Sequence, residues 1–226
     1  MNWYKKAGSI VMQPSFTGKH NAQDAVTRFS QIPGRIFFDA NVLQYILSFG
    51  EYIFDNYKEN EEYFLALKGK RIEKDDPLYP QIVALHDFFL GSERAHFEFA
   101  LSESVYQEVI KKKQGDEVDK VFLQWFYYVW DHWQAVLKSY EDEPIPQEAQ
   151  TRYELAKNNK SLLGNRSEPD QKIVLDAIRL DCDSLLTVDK FAKDNFRHFV
   201  FEKYKLMILR PTDLIEIIKP FQALWH

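Results

Sequence analysis

Two aspartates directly follow short apolar runs that predict buried β-strands. Asp39 comes after residues 36–38, and Asp189 comes after residues 185–188. In an open parallel sheet, ligands bind beyond the carboxyl ends of the strands, so an acid at this point is a candidate for binding or catalysis. Taken alone, each aspartate equally fits a turn or a helix-capping role.

A third candidate acid opens a predicted helix in the stretch "SEPDQKIVLDAI". Ser167 three residues before Asp170 resembles a capping box, which is a sufficient structural role. Helical spacing also places Asp170 on the apolar face of that helix, with Ile173. Asp176 is the alternative, and the same spacing predicts it on the opposite, solvated face with Arg179.

The fourth candidate lies in "LSESVYQEVI", a predicted helix that follows an alternating strand pattern. Glu108 flanks Val105 and Val109, which we expect to be buried. Glu103 lies in the first turn, where an acid favours the helix dipole without any further role. Glu108 is therefore the preferred residue, and Glu103 remains the alternative.

Four acids at one sheet edge predict a metal site. Clustered carboxylates repel one another and raise the pKa of at least one member, unless a cation compensates. Mg²⁺ takes oxygen ligands from a few carboxylates and from substrate phosphates, and Mn²⁺ suits the same ligands. Such a metal can activate water and stabilise a leaving oxygen in phosphoryl transfer. The predicted metal ligands and catalytic residues are Asp39, Glu108, Asp170 and Asp189.

The elements that position these acids alternate between strands and helices. This order predicts an α/β fold with a mainly parallel sheet. Asn41 is the predicted N-cap of the helix after the first strand. The predicted strands cover about 35–38, 97–101 and 184–188, with one or two more within 198–209. The predicted helices of the core cover about 42–48, 102–113 and 167–180, with a last one from about 211.

Four stretches together resemble the PIN domain: "FFDANVLQYI", "LSESVYQEVI", "PDQKIVLDAIRLDCDSLLTVDKF" and "LRPTDLIEII". The acids of that family match, in order, Asp39, Glu108, Asp170 and Asp189. Asn41 and Thr187 match polar positions often seen beside the acids, and we expect them to orient the ligands. The last two acids are 189 − 170 = 19 residues apart, which fits the family pattern, whereas Asp176 would leave 13.

The resemblance implies a three-layer α/β/α sandwich with a mainly parallel central sheet. Many members of that family are Mg²⁺- or Mn²⁺-dependent ribonucleases, so the resemblance implies a metal-dependent nuclease, and we expect a single-stranded-RNA endoribonuclease. We expect one PIN-like domain over residues 1–226. Its core would cover about 34–49, 95–112 and 168–218, and helical insertions would cover about 50–94 and 113–165.

Two alternatives to a nuclease remain. A PIN-like scaffold could bind a protein or RNA partner without catalysis. A phosphatase of the haloacid dehalogenase type also begins with a strand-end aspartate, but it requires a second aspartate two residues on, where this chain has Asn41. The chain is longer than small bacterial PIN toxins, so a simple toxin with an antitoxin-like partner is not indicated.

The charge balance limits the choice of partners. A net charge of −5 is unusual for a nucleic-acid-binding protein, but removing four site acids leaves −5 + 4 = −1. RNA is the predicted partner, ahead of DNA. The basic residues predicted to contact its phosphates are Lys111, Lys112, Arg166 and Lys190.

The remaining features predict a cytoplasmic protein. The single cysteine, Cys182, excludes an internal disulfide and a cysteine-based zinc site. We find no signal peptide and no apolar run long enough for a membrane span. A long helix over 116–140 contains "FLQWFYYVWDHW", which predicts burial or a homodimer interface more than base stacking.

Overall fold

Four short parallel strands form the sheet that carries the candidate acids. The computed structural model describes residues 32–54, 63–65, 71–92, 97–113, 127, 131, 146–159, 167–189 and 194–219. The strands lie in the order β4-β1-β5-β6, and every neighbouring pair is parallel. These strands are β1 (Arg35–Phe38), β4 (Glu98–Ala100), β5 (Ser184–Leu186) and β6 (Met207–Leu209).

Helices connect the parallel strands, because a parallel pair cannot be joined by a tight hairpin. Helix α8 packs on α3, α5 packs on α6 and α7, and α4 packs on α1. The fold is therefore mixed α/β with a parallel sheet, as predicted, and it is compatible with three layers. The helices of the described residues are α1 (Ala40–Ser48), α2 (Gly50–Phe54), α3 (Tyr79–Ser92), α4 (Glu103–Lys113), α5 (Gln147–Asn158), α6 (Glu168–Arg179), α7 (Asp194–Tyr204) and α8 (Pro211–Ile218).

The segment over 50–94 is not purely helical, contrary to the prediction. It contains a two-stranded antiparallel sheet formed by β2 (Tyr63–Leu65) and β3 (Arg71–Glu73). Ile72 in β3 is buried in the same core as the main sheet. Each of these strands has only three residues and is flanked by acidic residues, so the sequence pattern did not reveal them.

The segment over 198–209 holds one strand, where the prediction allowed two. Residues 198–204 belong to α7, which supplies the crossover between β5 and β6. Val200 and Tyr204 are buried and lie four residues apart, so they share one helix face. The alternation of Phe199 with Phe201 resembled a strand, but Phe201 is exposed.

The helix after β1 begins two positions earlier than an N-cap at Asn41 would allow. Its first residue is Ala40 and its N-cap is Asp39, so the prediction of Asn41 as N-cap was wrong. Asp39 has the extended backbone of an N-cap, but its carboxylate makes no capping hydrogen bond. That carboxylate instead accepts hydrogen bonds from the side chains of Thr187 and Asn41.

Aromatic rings join α3 to the sheet. The ring of Phe89 stacks on Phe38 of β1 with centroids 6.5 Å apart, and it also meets Phe54 and Phe99. Phe38 and Phe89 are both buried. Among the described residues, no helix is long and apolar enough to span a membrane.

Phe89→Ala should lower the free energy of unfolding by about 3–5 kcal/mol, because it leaves a cavity against β1. Its neighbour Leu90 is half exposed, so Leu90→Ala should cost less than about 1 kcal/mol. Urea denaturation of both variants measures the difference. Equal losses would mean that α3 does not pack on the sheet through Phe89.

Candidate active site at the carboxyl edge of the sheet

Asp39 is the buried centre of the site. Only 2 % of its surface is exposed, because it follows the fully buried residues of β1 and lies beside β5. Its backbone N–H donates to the carbonyl of Leu186 at 3.0 Å, which extends the β1–β5 pairing by one residue. The sheet thus fixes the backbone of Asp39 at the carboxyl end of two central strands.

One carboxylate oxygen of Asp39 accepts two side-chain hydrogen bonds. Thr187 Oγ1 donates to Asp39 Oδ2 at 2.6 Å, and Asn41 Nδ2 donates to the same oxygen at 2.7 Å. The Asp189 N–H donates in turn to Thr187 Oγ1 at 3.1 Å. Thr187 and Asn41 therefore hold Asp39 in place, and Thr187 also holds the backbone of Asp189.

The pKa of Asp39 is raised from its ordinary value of 3.8 to about 6. Burial is the main cause, since it disfavours the charged form. The hydrogen bond from Thr187 lowers the pKa, but the negative charges of Asp189 and Glu108 raise it further. Asp189 and Glu108 therefore lie close enough to Asp39 for their charges to act on it.

The topology places the start of α6, which carries Asp170, at the same edge of the sheet. Asp170 lies in the first turn of α6, where its N–H donates to Ser167 Oγ at 3.3 Å as the capping pattern predicts. Helix α6 leads through a short turn into the amino end of β5, so its own start lies at the carboxyl edge. The side chain of Asp170 is partly buried.

The two alternative acids have other partners. Glu103 is exposed, and its carboxylate accepts a hydrogen bond from Gln107 Nε2 at 2.7 Å. The helical spacing predicted that Asp176 lies on a solvated face. This prediction was wrong, because Asp176 is only 9 % exposed. Ser104 of α4 donates to Asp176 Oδ2 at 3.0 Å, so this flank of α6 contacts a residue of another helix.

The donor atoms of the site suit a hard divalent cation. Asp39, Asp189 and Glu108 offer carboxylate oxygens, and a cation would reverse the repulsion that raises the pKa of Asp39. In the part of the chain that the structure describes, no three His, Cys, Asp or Glu side chains already form a set of metal ligands. Binding would therefore require these side chains to turn toward one another.

The predicted phosphate contacts fall largely outside the described residues. Arg166 and Lys190 lie outside them, as does the stretch 116–140 for which an aromatic helix was predicted, apart from Tyr127 and Asp131. Lys111 and Lys112 belong to the last turn of α4, but their side chains lie outside the description.

Arg210 lies at the edge of the site and was not among the site residues predicted from the sequence. It directly follows β6 and is exposed, and the carbonyl of its neighbour Leu209 accepts from the Thr187 N–H at 2.9 Å. Arg210 therefore stands one strand away from Thr187, which holds Asp39. The strand-end rule that identified Asp39 and Asp189 would have found it, had the rule been applied to basic residues.

No family model, curated protein or solved structure significantly matches this chain. The sequence resemblance to the PIN domain therefore stands on its motifs alone.

The stability of the protein should depend on pH through Asp39. Its pKa is raised in the folded state, so the folded protein keeps a proton that the unfolded chain releases above about pH 4. Stability is therefore lost as the pH rises from about 4 to about 6, by about 3 kcal/mol for a shift of about two units. The Asp39→Asn variant has no ionisable group at this position, so it should not lose this stability as the pH rises.

Urea denaturation of both proteins at pH 5 and pH 8, without divalent metal, tests the effect. The advantage of Asp39→Asn should grow by about 1–2 kcal/mol between these pH values. An advantage that stays constant with pH would show that Asp39 ionises normally.

Proposed function

We propose that this protein is a PIN-like, metal-dependent nuclease that cleaves single-stranded RNA. The observation that carries the proposal is the buried Asp39 carboxyl, whose pKa is raised to about 6 by burial and by the nearby charges of Asp189 and Glu108. A fold gains nothing in stability from acids collected in this way, whereas a divalent cation and a phosphodiester need them. The order of the acids along the chain supports the same conclusion.

Asp39, Glu108, Asp170 and Asp189 would hold one or two Mg²⁺ or Mn²⁺ ions. Bound metal would supply an activated water and charge stabilisation for the departing oxygen of a phosphodiester. Thr187 and Asn41 fix the Asp39 carboxylate through the bonds at 2.6 and 2.7 Å, so its second oxygen faces away from them. The partly buried Glu108 and the exposed Asp189 would complete the site from either side of Asp39.

The position of Asn41 weighs against the phosphatase alternative. A haloacid dehalogenase-type enzyme needs a proton donor two residues after its first aspartate. Here the amide of Asn41 is engaged with Asp39 Oδ2, and Asn41 Oδ1 accepts from the Val188 N–H at 3.4 Å. The side chain of Asn41 therefore positions the Asp39 carboxylate, and as an amide it cannot act as the acid.

Arg210 supports a polyanionic substrate at this edge. Asp213, the acid closest to it in sequence, accepts a hydrogen bond from the Arg210 N–H at 2.8 Å and pairs with Arg197. The charge of Asp213 is thus shared with a second arginine, and the exposed Arg210 guanidinium is available for a substrate phosphate.

Asp39→Asn should lower cleavage of an end-labelled single-stranded RNA in Mn²⁺ by about 100-fold or more, because it removes a central ligand. Asp75→Asn makes the same change in an exposed turn and should keep full activity. Cleavage is measured on denaturing gels, with Mn²⁺-induced shifts in Tm recorded alongside. If wild-type protein neither cleaves RNA nor gains stability with Mn²⁺, the non-catalytic scaffold is the better assignment.

Arg210→Ala should weaken binding of the same RNA and flatten its salt dependence. One lost phosphate contact lowers the slope of log K against log salt by about 0.7 for a single strand. Fluorescence anisotropy in EDTA from 50 to 200 mM salt, conditions that exclude cleavage, gives the slope directly. Lys203→Ala, which removes an exposed cation in the last turn of α7, is the matched control and should leave the slope unchanged.

A further inference from the structure

A chain of polar side chains links α4 to α6 at the edge of the site. Ser102 Oγ lies 2.8 Å from Ser104 Oγ, and Ser104 Oγ donates to Asp176 Oδ2 at 3.0 Å. Ser102 and Asp176 are both buried. The chain joins the end of β4 to the middle of α6, which are 72 or more residues apart in sequence.

Helix α4 carries Glu108, and Ser104 lies on the same face one turn earlier. Residues four apart on a helix are direct neighbours, so the surface that meets Asp176 continues toward Glu108. Helix α4 also packs on α1, the helix that begins beside Asp39. The placement of α4 relative to α1 and to Asp176 therefore influences where the Glu108 carboxylate stands.

Burial of Asp176 is costly and is only partly compensated. Its second oxygen, Oδ1, has the guanidinium of Arg179 at 3.6 Å, and that arginine side chain is 47 % exposed. A buried carboxylate of this kind adds little net stability compared with an apolar residue of similar volume. The hydrogen bond from Ser104 to Asp176 is directional, however, so it favours one relative position of α4 and α6.

We propose that Asp176 is a positioning residue of the active site, which holds Ser104 and thereby sets the Glu108 carboxylate beside Asp39. The structural half of this inference, which concerns the position of Glu108, does not depend on any activity. Its consequence for metal binding rests on the proposed function. Asp176 is then neither a ligand nor a replacement for Asp170. Asp176 lies on α6, the helix that also carries Asp170, and it acts on the site through α4.

Crystal structures of Ser104→Ala and Ser104→Thr test the structural half. Ser104→Ala keeps the charge of Asp176 but removes the donor, so the Glu108 carboxylate should move by about 1 Å or more relative to Asp39, a displacement large enough to matter in an active site. Ser104→Thr retains a hydroxyl and should restore the position. The matched control is Ser184→Ala, which removes a buried hydroxyl at the amino end of β5.

Mn²⁺ titrations by calorimetry test the consequence. Ser104→Ala should weaken Mn²⁺ binding about 10-fold, as loss of an outer partner does at metal sites, and should add no further loss in a Glu108→Gln background. Asp176→Asn, whose amide oxygen can still accept from Ser104, should retain more affinity than Asp176→Ala. If wild-type protein binds no Mn²⁺, the proposed function fails while the crystal structures still decide the positioning role. An unmoved Glu108 in Ser104→Ala, or unchanged Mn²⁺ affinity where Glu108→Gln weakens it, overturns the inference.

Discussion

The structure of the site depends on one carboxylate oxygen that three chain segments share. Asp39 Oδ2 accepts from Thr187, which follows β5, and from Asn41 in the first turn of α1, while Asp39 itself ends β1. These bonds favour an ionised carboxylate, whereas burial and the neighbouring acids disfavour it, and the second influence wins because the pKa rises to about 6. The site is thus rigid in geometry and unbalanced in charge.

The opposite end of the sheet keeps this geometry in register. Asp183 Oδ2 accepts from the backbone N–H groups of Gly34 and Arg35 at 2.9 and 2.8 Å, and the Asp183 N–H donates to the Arg35 carbonyl at 2.9 Å. Strands β1 and β5 are therefore tied together both before they begin and after they end. A slip of one residue would move every buried side chain of β1 to the other face, so Thr187 cannot drift away from Asp39.

The sequence predicted those features that depend on local pattern. Residues 35–38 and the capping serine at 167 are readable because buried strands and helix starts each have a local signature. It did not predict α7, because a crossover helix with only a few buried residues resembles an alternating strand. The burial of Asp176 was also missed, since it depends on Ser104, a residue on another helix that no periodicity within α6 reveals.

The contrast between the two buried aspartates explains why burial alone does not identify a ligand. Asp39 has donors on one carboxylate oxygen, but burial and the charges of nearby acids make its ionisation unfavourable, and a cation would offset that cost. Asp176 instead meets a serine hydroxyl and an arginine, which compensate part of the cost of burying its carboxylate. A buried acid that has other acids nearby is therefore a candidate ligand even when donors hold one of its oxygens, whereas a buried acid paired with a hydroxyl and an arginine fits a structural role. By this criterion the proposed metal site centres on Asp39, and the proposed role of Asp176, on the helix that carries Asp170, is to position that site.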